Sequence, residues 1–376
     1  MLKNYDFITI DEEDTIEIDD AISIKETVNK IEILIAIADL SEYLPLSLFH
    51  LAYNTQNSLY FIYNNFYMLV DKKVIKSFSL IKNTIKPVLI FRVSFSKKLE
   101  SIGFDDFDFD FRLIEIKENL SYEKADKYNP YQILNKVAKQ LISMRLENGA
   151  TILNIPKIKL DKNFRKIKFI YPLKGYRFIT QELMILANHL SAKIAQKNNI
   201  PFIFLHNPTN LENTKKSKII SNPLEIYQTL RTSELSYYSL KNRNHNLVGL
   251  QEYAHITSPI RRFIDIINQR QLLSLFYNID PYYNENELKE FISIANLQNI
   301  NKNNLYKNYL QSYLKNYFHF NNINTFKGYV IDKKEDYIKI YLSDYFIETE
   351  ENLNQIKIIK GKLEKNNEII FQKIKQ

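Results

Sequence analysis

The chain has 376 residues, 45% of them hydrophobic, with 51 Lys and Arg against 43 Asp and Glu, a formal charge of +8, and no cysteine. This length and apolar content allow one large domain plus a small one, and the missing thiols exclude a disulfide framework, a thiolate metal site and a cysteine nucleophile. No apolar run is long enough to span a bilayer and Met1-Leu2-Lys3-Asn4 opens no signal peptide, so the expected location is cytoplasmic.

The first predicted element is a buried strand at Phe7-Ile8-Thr9-Ile10, and a second leaves at Ala21-Ile22-Ser23-Ile24. Between them lie seven carboxylates: Asp11, Glu12, Glu13, Asp14, Glu17, Asp19 and Asp20. Carboxylates clamped between apolar strands repel one another unless a cation neutralises them. Oxygen donors without Cys or His favour hard ions such as Mg²⁺ or Mn²⁺. A solvated acidic loop is the alternative. A basic chain with one acidic focus suits a polyanionic substrate plus a metal, although AT-rich coding also inflates lysine.

A strongly apolar strand follows at Lys30 to Asp39, with Asp39 holding the loop after it. Further strands are expected at Asn57 to Tyr63, Tyr67 to Val70, Phe78 to Leu80 and Lys86 to Phe95. From Tyr122 onward helical spacing takes over. Tyr131 to Asn148 and Thr180 to Lys197 read as long helices, the second with Thr180 as N-cap. Strands return between them at Ile152 to Pro156 and Lys166 to Tyr171. Helices are expected again over Pro223 to Leu230, Arg262 to Leu275 and Asn284 to Phe320. Short strands then fill the C-terminal stretch, as in a small OB-type barrel or an inert β-cap.

The second unusual stretch is Tyr253 to Asp265, with Thr257-Ser258-Pro259-Ile260-Arg261-Arg262 at its centre. A helix beginning just after Pro259, capped by Thr257 or Ser258, would put both arginines near its N-terminus. The dipole disfavours cations there, so a bound phosphate would explain them. Bridging to Asp265 explains them equally well.

Together these stretches resemble the RNB family, the catalytic domain of bacterial ribonuclease II and ribonuclease R. Thr9-Ile10-Asp11 and Glu17-Ile18-Asp19-Asp20-Ala21 are similar to its acidic signature, and Tyr253 with Thr257 to Phe263 and Asp265 to its second signature. Ala36 to Asp39, Pro87 to Leu89, Leu120 to Tyr122, Glu182 to Met184 and Ala187-Asn188 fall between them in family order. The resemblance spans roughly residues 5 to 280. It implies an α+β chain: an RNB catalytic domain with a mixed β-sheet core and surrounding helices over 1–320, then an S1-like or OB-like β domain over 321–376. Family members carry N-terminal cold-shock domains that this sequence is expected to lack.

The resemblance also implies a Mg²⁺-dependent 3′→5′ exoribonuclease releasing nucleoside 5′-monophosphates from single-stranded RNA, with Mn²⁺ as a substitute ion. Neither a membrane nor an obligate protein partner is implied. Asp11, Glu17, Asp19 and Asp20 would form the metal cluster, Asp19 being the most critical for chemistry. Glu17 departs from the usual Asp. Arg261 would be catalytic and contact a phosphate, with Arg262 beside it in the substrate site. Tyr60 would stack on a base near the 3′ end, and Tyr122 would read the ribose, whose 2′-OH separates RNA from DNA. His206 and His255 are expected to be structural, and Gln269 replaces a common His. The alternatives are a catalytically silent RNA-binding protein on the same fold and a metal-dependent hydrolase of DNA or nucleotides.

Overall fold

The computed structural model describes residues 5–58, 68–96, 106–161, 163–209 and 218–374. Strands β1 (Phe7–Asp11), β2 (Asp20–Glu26), β3 (Lys30–Ala38), β4 (Ile85–Ser96) and β5 (Phe107–Ser121) close into a barrel in that order. Neighbours run antiparallel except for β1 and β5, which pair in parallel and make the barrel mixed. Two helices, α1 (Leu46–Thr55) and α2 (Lys72–Phe78), lie between β3 and β4.

The run Lys30–Ala38 is apolar at almost every position because its two faces enter different cores. Ile31, Ile33, Ile35 and Ile37 join a cluster with Leu134 and Val137 of α4 (Gln132–Glu147) and Leu183, Leu186 and Leu190 of α5 (Gly175–Lys197). Leu34, Ala36 and Ala38 join a second with Phe49 of α1, Val74 of α2, and Phe263, Ile264 and Ile267 of α7 (Phe263–Tyr277). The barrel is thus buried between helices, which also bring distant segments to one end of it.

The remaining elements in chain order are α3 (Tyr122–Tyr128), β6 (Thr151–Leu153), the hairpin β7 (Lys157–Leu160) and β8 (Ile167–Ile170), β9 (Phe204–His206), β10 (Lys218–Ile220), α6 (Pro223–Thr232), β11 (Tyr237–Ser239) and α8 (Glu285–Phe320). Helix α8, 36 residues long, starts with a capping box between Asn284 and Glu287. It runs from the second core, at Leu288 and Phe291, to a third at Leu310 and Leu314. That third core belongs to an antiparallel sheet of β12 (Thr325–Lys333), β13 (Tyr337–Leu342), β14 (Ile347–Asn352), β15 (Ile356–Lys360) and β16 (Glu368–Lys373), in the order β14-β13-β12-β16-β15. Among the described residues no helix is long and apolar enough to cross a membrane.

The α+β class follows the sequence, but several elements differ. Phe78 to Leu80 is no strand: Phe78 ends α2, and the Leu80 N–H bonds to the Ile18 carbonyl at 3.0 Å. Met68 to Val70 is likewise irregular, and residues 59–67, with Tyr60, lie outside the described residues. Helix α5 starts at Gly175, whose positive φ of 57° turns the chain so that Asp126 accepts the Tyr176 N–H at 2.7 Å. Thr180 is therefore mid-helix, its hydroxyl bonded back to the Tyr176 carbonyl at 3.0 Å.

Candidate active site

The site is built where β1 ends and β2 begins. Between them the chain is held against α2 and β3: Ser79 Oγ donates to the Ile16 carbonyl at 3.1 Å and the Ala38 N–H to the Asp19 carbonyl at 2.8 Å. The acidic run separates into two sets. The outer carboxylates are neutralised locally, Glu12 by a two-pronged contact with Arg177 at 3.1 Å on each oxygen and Asp14 by Lys159 at 2.8 Å. Of the inner four, Asp11, Glu17, Asp19 and Asp20, Asp19 alone forms an ion pair among the described residues.

Asp19 is the best anchored of these. It accepts the Ile260 N–H at 2.9 Å and faces Arg261 Nε at 3.5 Å. Glu17 accepts Ser58 Oγ at 3.0 Å through one oxygen. Its other oxygen and Asp11 Oδ2 are buried with no hydrogen-bond partner. Burial pushes Asp11 up to about 8, with Asp20 and Asp19 adding repulsion, and Glu17 up to about 7, with Asp19 adding to it. Asp20 rises to about 7 by burial and by Asp19, and Asp19 to about 6 by burial, offset by Arg261 and the Ile260 amide.

Orphaned oxygens on mutually repelling buried carboxylates fit a hard divalent cation, which would satisfy the first and relieve the second. Among the described residues no three acidic or histidine side chains already surround one point. An ion would have to draw the carboxylates inward.

The Thr257 to Arg262 loop supplies the basic side. Helix α7 begins at Phe263, one residue after the expected start at Arg262 and three after a start directly following Pro259, with Arg262 as N-cap and no side-chain cap. The reason is Asp265, whose Oδ1 takes both the Ser258 N–H at 2.7 Å and Arg262 Nη2 at 2.9 Å and so folds the loop back on the helix. The two arginines therefore separate. Arg262 is largely buried against Asp265, whereas Arg261 is half exposed, bonded to Ser258 Oγ at 2.9 Å and turned to Asp19. Gln269 ties the helix to the barrel through the Ala38 carbonyl at 2.9 Å.

Parallel pairing of β1 with β5 puts Ser121 opposite Asp11, so Tyr122 emerges beside the cluster. Its hydroxyl meets Thr180 Oγ1 at 3.2 Å, and the Arg177 guanidinium lies 4.5 Å over its ring. His206 is buried and His255 half-buried, with their Nδ1 atoms bonded to the Asn244 carbonyl and the Tyr238 hydroxyl, and Asp39 caps the turn at Ser41. All three are structural here.

Sequence reasoning missed two neighbours. Ser58 orients Glu17. Lys302, from the middle of α8, faces Arg261, Arg262 and Glu17, and burial beside the two guanidiniums lowers its ammonium to about 8. An isolated serine and one lysine in an Asn- and Lys-rich helix carry no pattern that sequence could reveal.

The fold has known relatives. The RNB domain matches residues 1–278. Ribonuclease R of Buchnera aphidicola is 29% identical over 335 residues, covering 73% of this chain and 45% of that protein. The structure of Mycoplasma genitalium RNase R in complex with ribose-methylated single-stranded RNA superposes with a TM-score of 0.80 at 19% identity, covering 100% of this chain and 68% of that one. Yeast Ssd1, a pseudonuclease, superposes with a TM-score of 0.71 at 14% identity over 96% of this chain and 50% of its own. This chain spans just under half the length of the curated relatives it matches best.

Proposed function

The chain belongs to the RNB family, and from that premise we propose that it is a metal-assisted 3′→5′ exoribonuclease acting on single-stranded RNA. The observation that carries this reading is the buried set Asp11, Glu17, Asp19 and Asp20, with two orphaned oxygens facing a half-exposed Arg261. Among the described residues Asp19 alone of the four forms an ion pair, with Arg261, whereas the neighbouring Glu12 and Asp14 are both paired.

In the proposed reaction, water attacks the phosphorus between the last two nucleotides and the bond to the 3′ oxygen breaks. The products are a nucleoside 5′-monophosphate and, once the departing 3′ oxygen takes a proton from solvent, an RNA with a new 3′-hydroxyl. A bound Mg²⁺ or Mn²⁺ supplies Lewis acidity and a more acidic water. Asp11, Glu17 and Asp20 would hold the ion. Asp19, fixed by the Ile260 amide, orients the attacking water and accepts its proton. Arg261 donates to a non-bridging oxygen as charge builds on the phosphate. Arg262 holds the loop through Asp265 instead of touching RNA. Tyr122 lies beside the cluster, where the ribose of the terminal nucleotide would be read; Tyr60 as a stacking platform rests on the family resemblance.

The test is hydrolysis of a 5′-labelled single-stranded RNA with Mg²⁺, using wild type, Asp19→Asn and an EDTA control. The expected result is a ladder shrinking from the 3′ end with mononucleotide product, slowed by on the order of 10²–10³ or more in the variant and stopped by EDTA. The second reading, an RNA-binding protein without activity, is favoured by the fold shared with Ssd1 and by Glu17. Tight RNA binding by folded wild type with no cleavage in Mg²⁺ or Mn²⁺ would establish it instead.

A further inference from the structure

Helix α8 is tied to the site along one stretch. The Asn296 side chain clamps the Tyr238 backbone, accepting its N–H at 2.8 Å and donating to its carbonyl at 3.1 Å. Asn299 bonds the Tyr238 hydroxyl, which in turn meets His255 of the arginine-bearing loop at 2.9 Å. The next turn brings Lys302 to the edge of the cluster, next to Arg261, Arg262 and Glu17. These contacts fix the helix, and so the root of the lysine side chain, with respect to the two arginines.

Three cations are thus gathered in one place, but their counter-charges are unequal. Arg262 has Asp265, and Arg261 has Asp19 at 3.5 Å. The Lys302 ammonium, half-buried, forms no ion pair or hydrogen bond among the described residues and has only the nearby Glu17 carboxylate for attraction. Two guanidiniums and a partly desolvated ammonium repel one another, so the arrangement is held at a cost that an anion between them removes. Glu17 cannot be that anion if its charge is engaged by a cation. An RNA phosphate can.

Building on the exoribonuclease reading, we propose that Lys302 is a substrate-binding residue whose ammonium contacts a backbone phosphate of the RNA alongside Arg261. It then acts as a point charge on the strand, sequence-blind and salt-sensitive, while Arg261 serves the reacting phosphate.

The experiment measures binding of a fluorescently labelled single-stranded RNA, in Mg²⁺, to the full chain carrying Asp19→Asn so that cleavage does not interfere. Adding Lys302→Gln is expected to weaken binding about tenfold near 0.1 M salt and to lower the slope of log Kd against log salt by about 0.7, the value for one phosphate contact on a single strand. Lys302→Arg should keep the slope. Replacing the exposed Lys289 at the far end of the helix should change neither. In a second measurement that needs no variant at position 302, RNA should protect Lys302 from acylation by a small amine-reactive ester.

An unchanged slope with Lys302→Gln, or full acylation of Lys302 in saturating RNA, overturns the proposal. Slower hydrolysis with unaltered RNA binding would make Lys302 a counter-charge for Glu17. An Asp19→Asn protein that does not bind RNA at all would overturn the exoribonuclease reading itself. Binding that ignores Lys302 overturns only this inference.

Discussion

Two groups of buried charge are treated by the protein in opposite ways. Glu182 and Arg145 form a closed pair: Nε and Nη2 of the arginine reach the two carboxylate oxygens at 3.0 and 2.5 Å, and Nη1 donates to the Val248 carbonyl at 3.1 Å. Their side chains are 0% and 6% exposed. Glu17 and Asp19 are comparably buried and Asp11 and Asp20 partly so, yet two of these carboxylate oxygens have no hydrogen-bond partner among the described residues and all four acids repel a neighbouring one. The fold completes the first group and leaves the second incomplete. Burial alone does not distinguish the two; the gathering of several repelling acids at one place does.

The largest effect that sharpens this contrast is on stability. Glu182→Ala leaves a buried guanidinium alone and is expected to cost about 3–5 kcal/mol, read as a lower urea midpoint. Asp19→Asn, by contrast, removes a repelling charge and should leave the midpoint of the metal-free protein unchanged or higher. If both lose stability alike, the acidic cluster is a structural element and the contrast fails.

The next effect is pH-dependent. Folding raises Asp11 from 3.8 to about 8, so the folded state binds its proton more tightly than the unfolded chain does. Its contribution is fully present below about pH 4 and is lost as pH climbs through 8. Asp20 and Glu17, near 7, act in the same sense. Without metal, the protein should therefore lose stability between pH 4 and pH 8. Asp11→Asn should recover about 1–2 kcal/mol at pH 8 and little at pH 4, and Mg²⁺ should stabilise wild type more than the variant. Equal melting of the two proteins at pH 8 would show that the repulsion is relieved without a cation.

The same contrast explains what was legible in the sequence. The acidic run, the arginine loop and the alternation of strand and helix were visible because each is local. The 15-residue β5, Phe107–Ser121, was not read as a strand, because charged residues are interspersed along it, Leu113 is exposed, and its apolar positions change face between Phe111, on the first core, and Ile114, on the second. Which acids remain unpaired depends on Arg177 and Lys159, more than a hundred residues away, and no spacing encodes that. The separation of Arg261 from Arg262 depends on Asp265, which was visible, but the sequence left phosphate binding and an Asp265 bridge equally open. Arg262 takes the Asp265 bridge, whereas Arg261 turns to Asp19, a partner that neither alternative named.

The smallest effect concerns Glu17, where the family usually has the shorter Asp. The extra methylene is not left loose. Ser58 Oγ donates to one Glu17 oxygen at 3.0 Å while accepting the Leu69 N–H at 2.9 Å, so the serine is held by the backbone and in turn holds the carboxylate. If this contact adapts the site to a longer acid, Glu17→Asp exchanges one oriented carboxylate for another that no longer reaches Ser58. One hydrogen bond is worth about 1 kcal/mol, so the hydrolysis rate should change by less than about tenfold. Ser58→Ala should do more, since it frees the native side chain, and loss of a partner that orients a metal ligand typically weakens metal affinity by roughly 10–100-fold. A hundredfold gain in rate with Glu17→Asp would show instead that Glu17 blocks the site, and that this chain has moved towards binding RNA without cutting it.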